Sequence, residues 1–259
     1  MTPLHQPDEK IFKGIIHIHT TFSFDGKLSL PDVIVLAKKR NLDFIALTEH
    51  AEDLDDKKMQ LFIRECHTAS TDTFVVIPGL EFSIDNQVHI LAVGIEEYFY
   101  EKDPCVLIRK IHHARGLAIL AHTAAIKKRS FNDLSDLDLI EIWNPRYGEW
   151  LSPSIRSLKI LYEFRRMKKG IIASGGLDLH KSRDFVSLHQ EISSPSLTRE
   201  AILSAIKRGN FITTNDFFTL PSLEKPAIAL IIYICILSFI QSIPNNGKNI
   251  LKKILKIFD

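Results

Sequence analysis

Short apolar runs alternate with amphipathic segments along most of the chain. The apolar runs predict strands at 14–19, 43–47, 73–77, 88–93, 117–121, 137–142, 171–174 and 211–213. The segments between them predict helices at 29–40, 56–69, 103–115, 152–169 and 198–208. Strands that alternate with helices favour a parallel α/β fold. Because the strands are continuous apolar runs, both faces of the sheet should be covered.

The pattern changes near the C-terminus, which places the predicted α/β domain at 10–220. Residues 227–243, AIALIIYICILSFIQSI, contain no charge and lie between Pro226 and Pro244. As a helix they would span about 25 Å, just short of the roughly 30 Å bilayer core. We therefore predict a membrane-associated or transmembrane helix at 226–243 and a basic amphipathic tail at 247–259. The alternative is a buried terminal helix or strand of the domain.

Composition narrows the classes of function. The 33 basic and 31 acidic residues give a net charge of +2, which is not the general basic footprint of a nucleic-acid-binding protein. Three widely spaced cysteines indicate neither a disulfide framework nor a C-x-x-C metal site. No signal-peptide pattern opens the sequence. The predicted location is the cytoplasm, with the 226–243 helix as an attachment to the membrane.

Two histidines interrupt the first apolar strand. In a strand, His17 and His19 would point to one face, and Ile16 and Ile18 to the other. A metal ion between the two imidazoles would make this arrangement favourable, since neutral imidazole is a common metal ligand. The alternative is one buried, hydrogen-bonded histidine and one at the strand end.

Polar residues end or interrupt almost every predicted strand up to residue 180. Sites in parallel α/β folds form at the carboxyl ends of strands, so we expect these side chains to meet at one rim. Taken singly, each has an ordinary structural explanation, such as a turn aspartate or a buried histidine. They are His17, His19, Asp25, Glu49, His50, Glu81, His89, His122, Asp178 and His180.

These residues lie in seven short motifs: His17-Ile-His19-Thr20, Ser23-Phe-Asp25-Gly26, Thr48-Glu49-His50, Pro78-Gly79-Leu-Glu81-Phe-Ser83, His89-Ile-Leu-Ala-Val-Gly94, Ala121-His122 and Gly176-Leu-Asp178-Leu-His180. In type and order they resemble the PHP (polymerase and histidinol phosphatase) family of metal-dependent phosphoesterases, and its small stand-alone members in particular. The resemblance covers residues 12–215. It implies a distorted seven-stranded (β/α) barrel, with the C-terminal apolar helix outside the barrel.

The resemblance also implies two or three divalent metal ions. A mixed imidazole and carboxylate set without thiolate suits Mn, Zn or Fe. The implied ligands fall into three sets, with Glu81 in two of them: His17, His19, Glu81 and Asp178; Glu81, His89 and His122; and Asp25, His50 and His180. Glu81 is expected to fix the metal spacing, and Asp178 or His180 to move a proton to or from the leaving group. These three are the predicted catalytic residues.

One motif departs from the family pattern. Glu49 stands where the family usually has aspartate between threonine and histidine. Because that position is not usually a ligand, the change affects the expected local hydrogen bonding rather than metal binding.

Substrate-binding residues are expected near the same rim. Asn144 and Arg146 follow the predicted 137–142 strand, and Arg183 follows the last motif. An arginine fork matches phosphate geometry, although an ordinary surface loop would explain these residues equally well.

Three functions remain open. The leading one is metal-dependent hydrolysis of a small phosphorylated metabolite or nucleotide by a metal-activated water. The second is exonuclease action on short oligonucleotides, since the weak net charge disfavours long nucleic acids. The third is a non-catalytic, metal-stabilised, membrane-linked scaffold.

Overall fold

A computed structural model of the chain describes residues 9–85, 88–127, 131–223 and 228–242. The fold is mixed α/β, which confirms the predicted class. The twelve strands of the described residues are β1 (Lys10–Ile16), β2 (Phe44–Ala46), β3 (Glu49–His50), β4 (Val75–Ile77), β5 (Gly79–Ser83), β6 (His89–Val93), β7 (Leu117–Leu120), β8 (Leu139–Trp143), β9 (Ile172–Gly175), β10 (His189–Ser194), β11 (Phe211–Thr214) and β12 (Thr219–Pro221). The six α-helices in these same ranges are α1 (Leu30–Lys39), α2 (Asp56–Ala69), α3 (Pro104–His113), α4 (Ile155–Met167), α5 (Arg199–Arg208) and α6 (Ile228–Ser242).

The described strands form two six-stranded sheets rather than one ring of seven strands. The first has the order β12-β11-β10-β1-β2-β4, and the second β3-β5-β6-β7-β8-β9. Parallel pairs such as β1/β2 and β7/β8 are combined with antiparallel pairs such as β5/β6 and β10/β11. The Ala173 N–H donates to Ser222 O at 2.8 Å, which joins β9 of the second sheet to the end of β12 of the first.

Strands β10 and β12 were not predicted from the sequence. Along β10, buried residues alternate with half-buried ones, so this strand is not a continuous apolar run. It pairs antiparallel with β1, where Phe12 lies opposite Ile192. The predicted parallel arrangement is therefore wrong at β1/β10, and also at the antiparallel pairs β5/β6 and β6/β7 of the second sheet.

Local signals account well for where the helices begin and end. Ser29 caps α1 in a reciprocal arrangement with Asp32, and Thr198 caps α5. Gly209 ends α5 with φ +73°, a left-handed conformation that glycine adopts without a Cβ clash.

The C-terminal apolar segment forms a helix within the predicted range 226–243. Ile234 and Leu237 of α6 are buried and belong to the main hydrophobic core. Tyr233 stacks on Phe218, with ring centroids 6.1 Å apart. No helix among the described residues has both the length and the apolar content needed to cross a membrane. The predicted basic tail at 247–259 lies outside the described residues.

Candidate metal centre

The first two histidines meet at the centre, but not because they share a strand face. Strand β1 ends at Ile16, and His17 has a left-handed backbone with φ +71°. The predicted strand at 14–19 is therefore too long. The chain continues through an isolated parallel bridge from Ile18 to Leu179. This path brings the His17 and His19 rings to a centroid distance of 5.3 Å.

Glu81 lies in the middle of the cluster and is almost fully buried. Its Oε1 lies 2.9 Å from His89 Nδ1 and 3.2 Å from His122 Nε2. Its Oε2 lies 3.1 Å from His19 Nε2 and 3.4 Å from His50 Nδ1. The same oxygen is 3.5 Å from the Nε2 of His17, the fifth histidine around it. The structure thus places Glu81 among five of the predicted ligands.

Two aspartates complete the cluster. Asp178 Oδ1 lies 3.6 Å from His17 Nε2 and 3.5 Å from His19 Nε2. On the more exposed side, Asp25 lies 3.2 Å from His50 Nε2 and 2.9 Å from His180 Nε2. All nine predicted ligands therefore meet in one place, although they come from segments spread over 160 positions of the sequence.

Three of these residues have strained backbone conformations. In the described part of the chain, five non-glycine residues have positive φ, and three of them are His17 at +71°, His122 at +27° and Asp178 at +49°. Such conformations cost about 1–3 kcal/mol each and persist only where the surroundings impose them. Three strained residues at one cluster indicate that the rest of the fold imposes these conformations, and the conformations direct the three side chains into the cluster.

Glu141 supports the centre from behind and was not singled out from the sequence. It lies on β8 and is fully buried. Its Oε2 lies 2.8 Å from His17 Nδ1, and its Oε1 accepts hydrogen bonds from the His122 backbone N–H and from Asn144 Nδ2. A Cβ at Gly176 would lie 2.0 Å from Glu141 Oε2, so only glycine leaves room for this carboxylate. A single glutamate inside the apolar stretch LIEIW was the available sequence signal.

The Nδ1 contacts of two imidazoles leave their Nε2 atoms facing carboxylates. Glu141 Oε2 lies 2.8 Å from His17 Nδ1, so the Nε2 of His17 faces Glu81 and Asp178. In the same way, His180 Nδ1 lies 2.8 Å from the Asp178 carbonyl oxygen, which leaves its Nε2 facing Asp25. In carboxylate–histidine–metal arrangements one ring nitrogen contacts an outer oxygen in this way, which orients the ring so that the other nitrogen can bind the metal.

Several buried polar atoms of the cluster have no hydrogen-bond partner. They are His17 Nε2, His19 Nε2, His122 Nδ1 and Asp25 Oδ1. An unpaired buried polar atom is costly, and these four atoms are of the types that bind divalent transition metals. Four overlapping sets have ligand atoms within 4.8 Å of one another: His17, His19 and Glu81; Glu81, His89 and His122; His17, His122 and Asp178; and His19, His50 and His180. The residues present therefore fit a multi-metal centre.

The charges of the cluster shift the pKa values of its members strongly. Burial alone would lower the pKa of His17, but three nearby carboxylates, Glu141 foremost, hold that pKa well above its ordinary value. Burial also opposes protonation of His19, yet Asp178 and Glu81 raise its pKa to about 9. For Glu81, burial favours the neutral acid, and the histidines, His17 foremost, hold its pKa well below the usual value. The site thus has a negative field that favours bound cations.

The departure from the family pattern at Glu49 is accommodated by hydrogen bonds. This buried carboxylate accepts from the Thr20 N–H and Thr20 Oγ1, at 3.0 and 2.6 Å, and from Ser23 Oγ at 2.5 Å. Ser23 Oγ in turn accepts from the His50 N–H at 3.0 Å. Glu49 therefore positions two ligand-bearing loops.

The three predicted substrate-binding residues have different surroundings. Arg146 lies at the cluster, with Nε 3.4 Å from Asp178 Oδ2 and Nη1 3.1 Å from His180 Nδ1. Asn144 is buried and bonded to Glu141, contacts that favour a supporting role. Arg183 is largely exposed and pairs with Asp184 at 3.9 Å. A substrate-binding role stays a prediction for all three.

Two aromatic side chains at the rim of the cluster were not predicted. Phe24 is highly exposed, and its ring centroid lies 5.7 Å from that of His50. Tyr147 is partly exposed, and its ring lies 4.7 Å from that of His122. They provide apolar surface beside an otherwise charged centre.

Comparison with known proteins agrees with this geometry. The sequence model of the PHP domain family matches residues 16–160. The comparison with curated proteins gave no match. Among solved structures, the chain is similar to a two-domain protein from Bacteroides vulgatus that contains a predicted PHP-like metal-dependent phosphoesterase, with 15% identity, a TM-score of 0.59, and coverage of 81% of this chain and 66% of the other.

Two further structures are similar in fold. PsfC from Pseudomonas syringae has 13% identity and a TM-score of 0.54 over 88% of this chain and 98% of its own. PfuEndoQ, a lesion-specific endonuclease from Pyrococcus furiosus, has 13% identity and a TM-score of 0.56 over 76% of this chain and 56% of its own. The chain thus spans just under two thirds of the Bacteroides protein and just over half of PfuEndoQ. Since the family model matches more than half of the sequence, including most of the ligand motifs, the chain belongs to the PHP domain family.

Proposed function

We propose that this chain is a metal-dependent hydrolase of phosphate esters, acting on small phosphorylated metabolites or nucleotides. The observation that carries the proposal is the ring of five histidines around the buried Glu81, in which unpaired imidazole nitrogens face carboxylates. Membership of the PHP domain family supports the same chemistry. The similar Bacteroides protein, whose name includes a metal-dependent phosphoesterase, is consistent with it.

Two or three divalent ions would be held by the nine ligands in the three sets predicted from the motifs. Mn, Zn or Fe suits this mixture of imidazole and carboxylate. When bound, such ions supply Lewis acidity, which makes water nucleophilic near neutral pH and offsets the charge of a phosphate. Glu81, which touches ligands of all three sets, fixes the spacing of the donors.

The remaining groups orient the substrate and move a proton. Arg146 lies at the edge of the centre with its side chain about one third exposed, so a phosphate oxygen can reach its guanidinium. Asp178 and His180 lie directly beside it and are the proposed proton carriers for the leaving group. Burial and the neighbouring His19 lower the pKa of His180, which favours the neutral ring that a metal ligand requires.

The second candidate is cleavage of short oligonucleotides. The exposed Phe24 ring beside His50 favours it, because bases stack on exposed aromatic rings with little sequence preference. PfuEndoQ is a nuclease with a similar fold. The same ligands would serve both reactions.

The test is hydrolysis by the full chain reconstituted with Mn²⁺, Zn²⁺ or Fe²⁺, against a panel of phosphomonoesters and a set of short oligonucleotides. We expect turnover that a chelator abolishes, and a loss on the order of 10³-fold or more in kcat/KM for Glu81→Gln. Glu65→Gln, an exposed glutamate on α2, is the matched control and should retain activity. Preference for oligonucleotides would select the second candidate.

Metal analysis of the same samples separates hydrolysis from a scaffold role. Bound metal without turnover of any phosphate ester would contradict the proposal and support a metal-stabilised scaffold. Metal content unchanged by Glu81→Gln would contradict the assigned site.

A further inference from the structure

Helix α6 has an apolar outer face in addition to its apolar inner face. Its inner residues Ile234 and Leu237 are buried in the core. The opposite stripe consists of Ile232, Ile236 and Phe239, at positions i, i+4 and i+7, and these side chains are 56%, 53% and 70% exposed. A helix on the surface of a water-soluble domain normally has polar residues on this side. The outer face is therefore suited to a non-aqueous surrounding.

The dimensions of this face are small for a protein partner. With 15 residues α6 is about 22 Å long and about 10 Å wide, so its outer face offers roughly 200 Å². A stable protein–protein interface buries about 800 Å² on each partner. A second copy of the chain would need much more surface than this stripe supplies. A lipid surface has no such minimum area.

The charges around α6 match an anionic surface. Helix α4 packs against α6 and exposes three cationic side chains, Arg156, Lys159 and Arg166, with Glu163 as its only acidic residue. In the sequence, residues 247–259 add four lysines and one aspartate shortly after the helix. Apolar residues flanked by basic ones are the pattern of helices that lie in the headgroup region of anionic membranes.

We propose that the outer face of α6 docks flat onto an anionic lipid bilayer and attaches the domain to it. The inner face keeps α6 on the domain, since crossing the bilayer would require exposing Ile234 and Leu237 from the core. Ile232, Ile236 and Phe239 enter the headgroup layer, and the lysines downstream contact lipid phosphates. This attachment is independent of the proposed hydrolysis.

The docked helix lies next to the loop that serves the metal centre. Ser238 Oγ donates to Pro153 O at 3.5 Å, and the loop containing Pro153 begins at Asn144 and Arg146. Tyr233 also contacts Phe217, with its hydroxyl 3.4 Å from the backbone oxygen. Membrane attachment through α6 would therefore also hold the α4 end of the β8–α4 loop.

The test is sedimentation of the full chain with phosphatidylcholine vesicles, with and without phosphatidylglycerol. We expect binding to the anionic vesicles and weak binding to the zwitterionic ones, with raised salt reducing the former. Ile236→Asp should lower partitioning on the order of tenfold or more, because it places a charge in the docked face. Val35→Asp, at a 51% exposed position of α1, is the matched control and should bind as the wild type does.

A second variant tests the electrostatic part, and thermal unfolding confirms that each variant is folded. Lys252→Glu with Lys253→Glu should also weaken anionic binding on the order of tenfold or more. A wild-type chain that stays in the supernatant with both vesicles would overturn the proposal, as would unchanged binding of Ile236→Asp. If the wild type does not bind vesicles but is a dimer in sedimentation equilibrium, and Ile236→Asp is a monomer, the proposal is overturned. A second copy of the chain would then cover the face.

Discussion

The surroundings of Glu81 and the outer face of α6 depart from ordinary burial in opposite directions. Around Glu81 the fold buries imidazoles and carboxylates, and leaves nitrogens such as His17 Nε2 without a partner. On the outer face of α6 it exposes the large apolar side chains of Ile232, Ile236 and Phe239. A buried polar atom without a hydrogen bond and an exposed apolar stripe both cost free energy in water alone.

The difference shows what each region needs from outside the chain. The metal centre needs positive charge, since its carboxylates raise the pKa of His17 and His19. Helix α6 needs an apolar layer. In both regions the departure from the usual pattern is local, and the hydrophobic core beside it is well packed. Each departure therefore points to a specific ligand rather than to a poorly folded segment.

The largest expected effect is stabilisation by metal. Ions that bind only the folded chain should raise the free energy of unfolding by about 4 kcal/mol at a thousandfold excess over the dissociation constant. Differential scanning calorimetry of the apo and Mn²⁺-loaded protein measures this. Glu81→Gln should remove most of the increase, whereas Glu65→Gln should keep it. Equal unfolding temperatures with and without metal would show that the cluster around Glu81 does not bind the ions.

Glu149 is a buried carboxylate that pairs with no cation in the part of the chain that the structure describes, and it sharpens the contrast. Glu149 accepts hydrogen bonds from the Asn144 N–H and from Ser157 Oγ, and burial raises its pKa to about 7. The folded chain binds this proton more tightly than the unfolded chain. The contribution of Glu149 to the free energy of unfolding is therefore full below about pH 4.5 and is lost as pH rises through about 7. The loss of stability is on the order of 3 kcal/mol, because each pH unit between these two values corresponds to about 1.4 kcal/mol.

Glu149→Gln should flatten this dependence, and urea unfolding between pH 5 and 8 measures it. The free energy of unfolding of the variant should rise relative to that of the wild type as pH rises, because the variant buries no charge at this position. Glu65→Gln serves again as the control. A wild type and a Glu149→Gln variant with parallel pH profiles would show that Glu149 is already ionised in the folded protein.

A smaller effect is expected from the support behind His17. Glu141→Gln keeps the size of the side chain but weakens the acceptor that orients the His17 ring, so metal affinity or activity should fall about 10–100-fold. Metal titration followed by calorimetry gives the affinity directly. The control is Glu191→Gln, the same substitution at a partly exposed glutamate of β10 that pairs with Lys13. Unchanged affinity would restrict Glu141 to a packing role.

The smallest effect concerns substrate. Arg146→Ala should raise KM about tenfold with little change in metal content, because the guanidinium is proposed to bind phosphate and not the ions. Steady-state kinetics with the best substrate of the panel tests this, and Arg64→Ala, at an exposed position of α2, is the control. Identical kinetics for Arg146→Ala and wild type would remove Arg146 from the site.

The sequence predicted which polar residues meet at the centre better than it predicted the strands that carry them. Each ligand ends or interrupts an apolar run, and this signal depends only on local order along the chain. The end of β1 at Ile16 could not be predicted in this way, because His17 leaves the extended conformation to reach Glu81. Glu141 was missed since a glutamate within an apolar strand gives no hint of which side chains lie behind it.

Other features depend on contacts between distant segments. Strand β10 is specified by pairing with β1, and its alternating burial gave no apolar run to detect. The division into two sheets follows from pairings such as β3 with β5, which no local pattern encodes. For Asn144, proximity along the sequence to Arg146 suggested a role in binding substrate, whereas its contacts with Glu141 depend on the folded loop.

The left-handed backbone at three ligands has an evolutionary consequence. At His17, His122 and Asp178, glycine would fit the backbone without strain, so losing a ligand there relieves the local conformation. A lineage that stops using the metal therefore has a thermodynamic incentive to discard these side chains, and little reason to regain them.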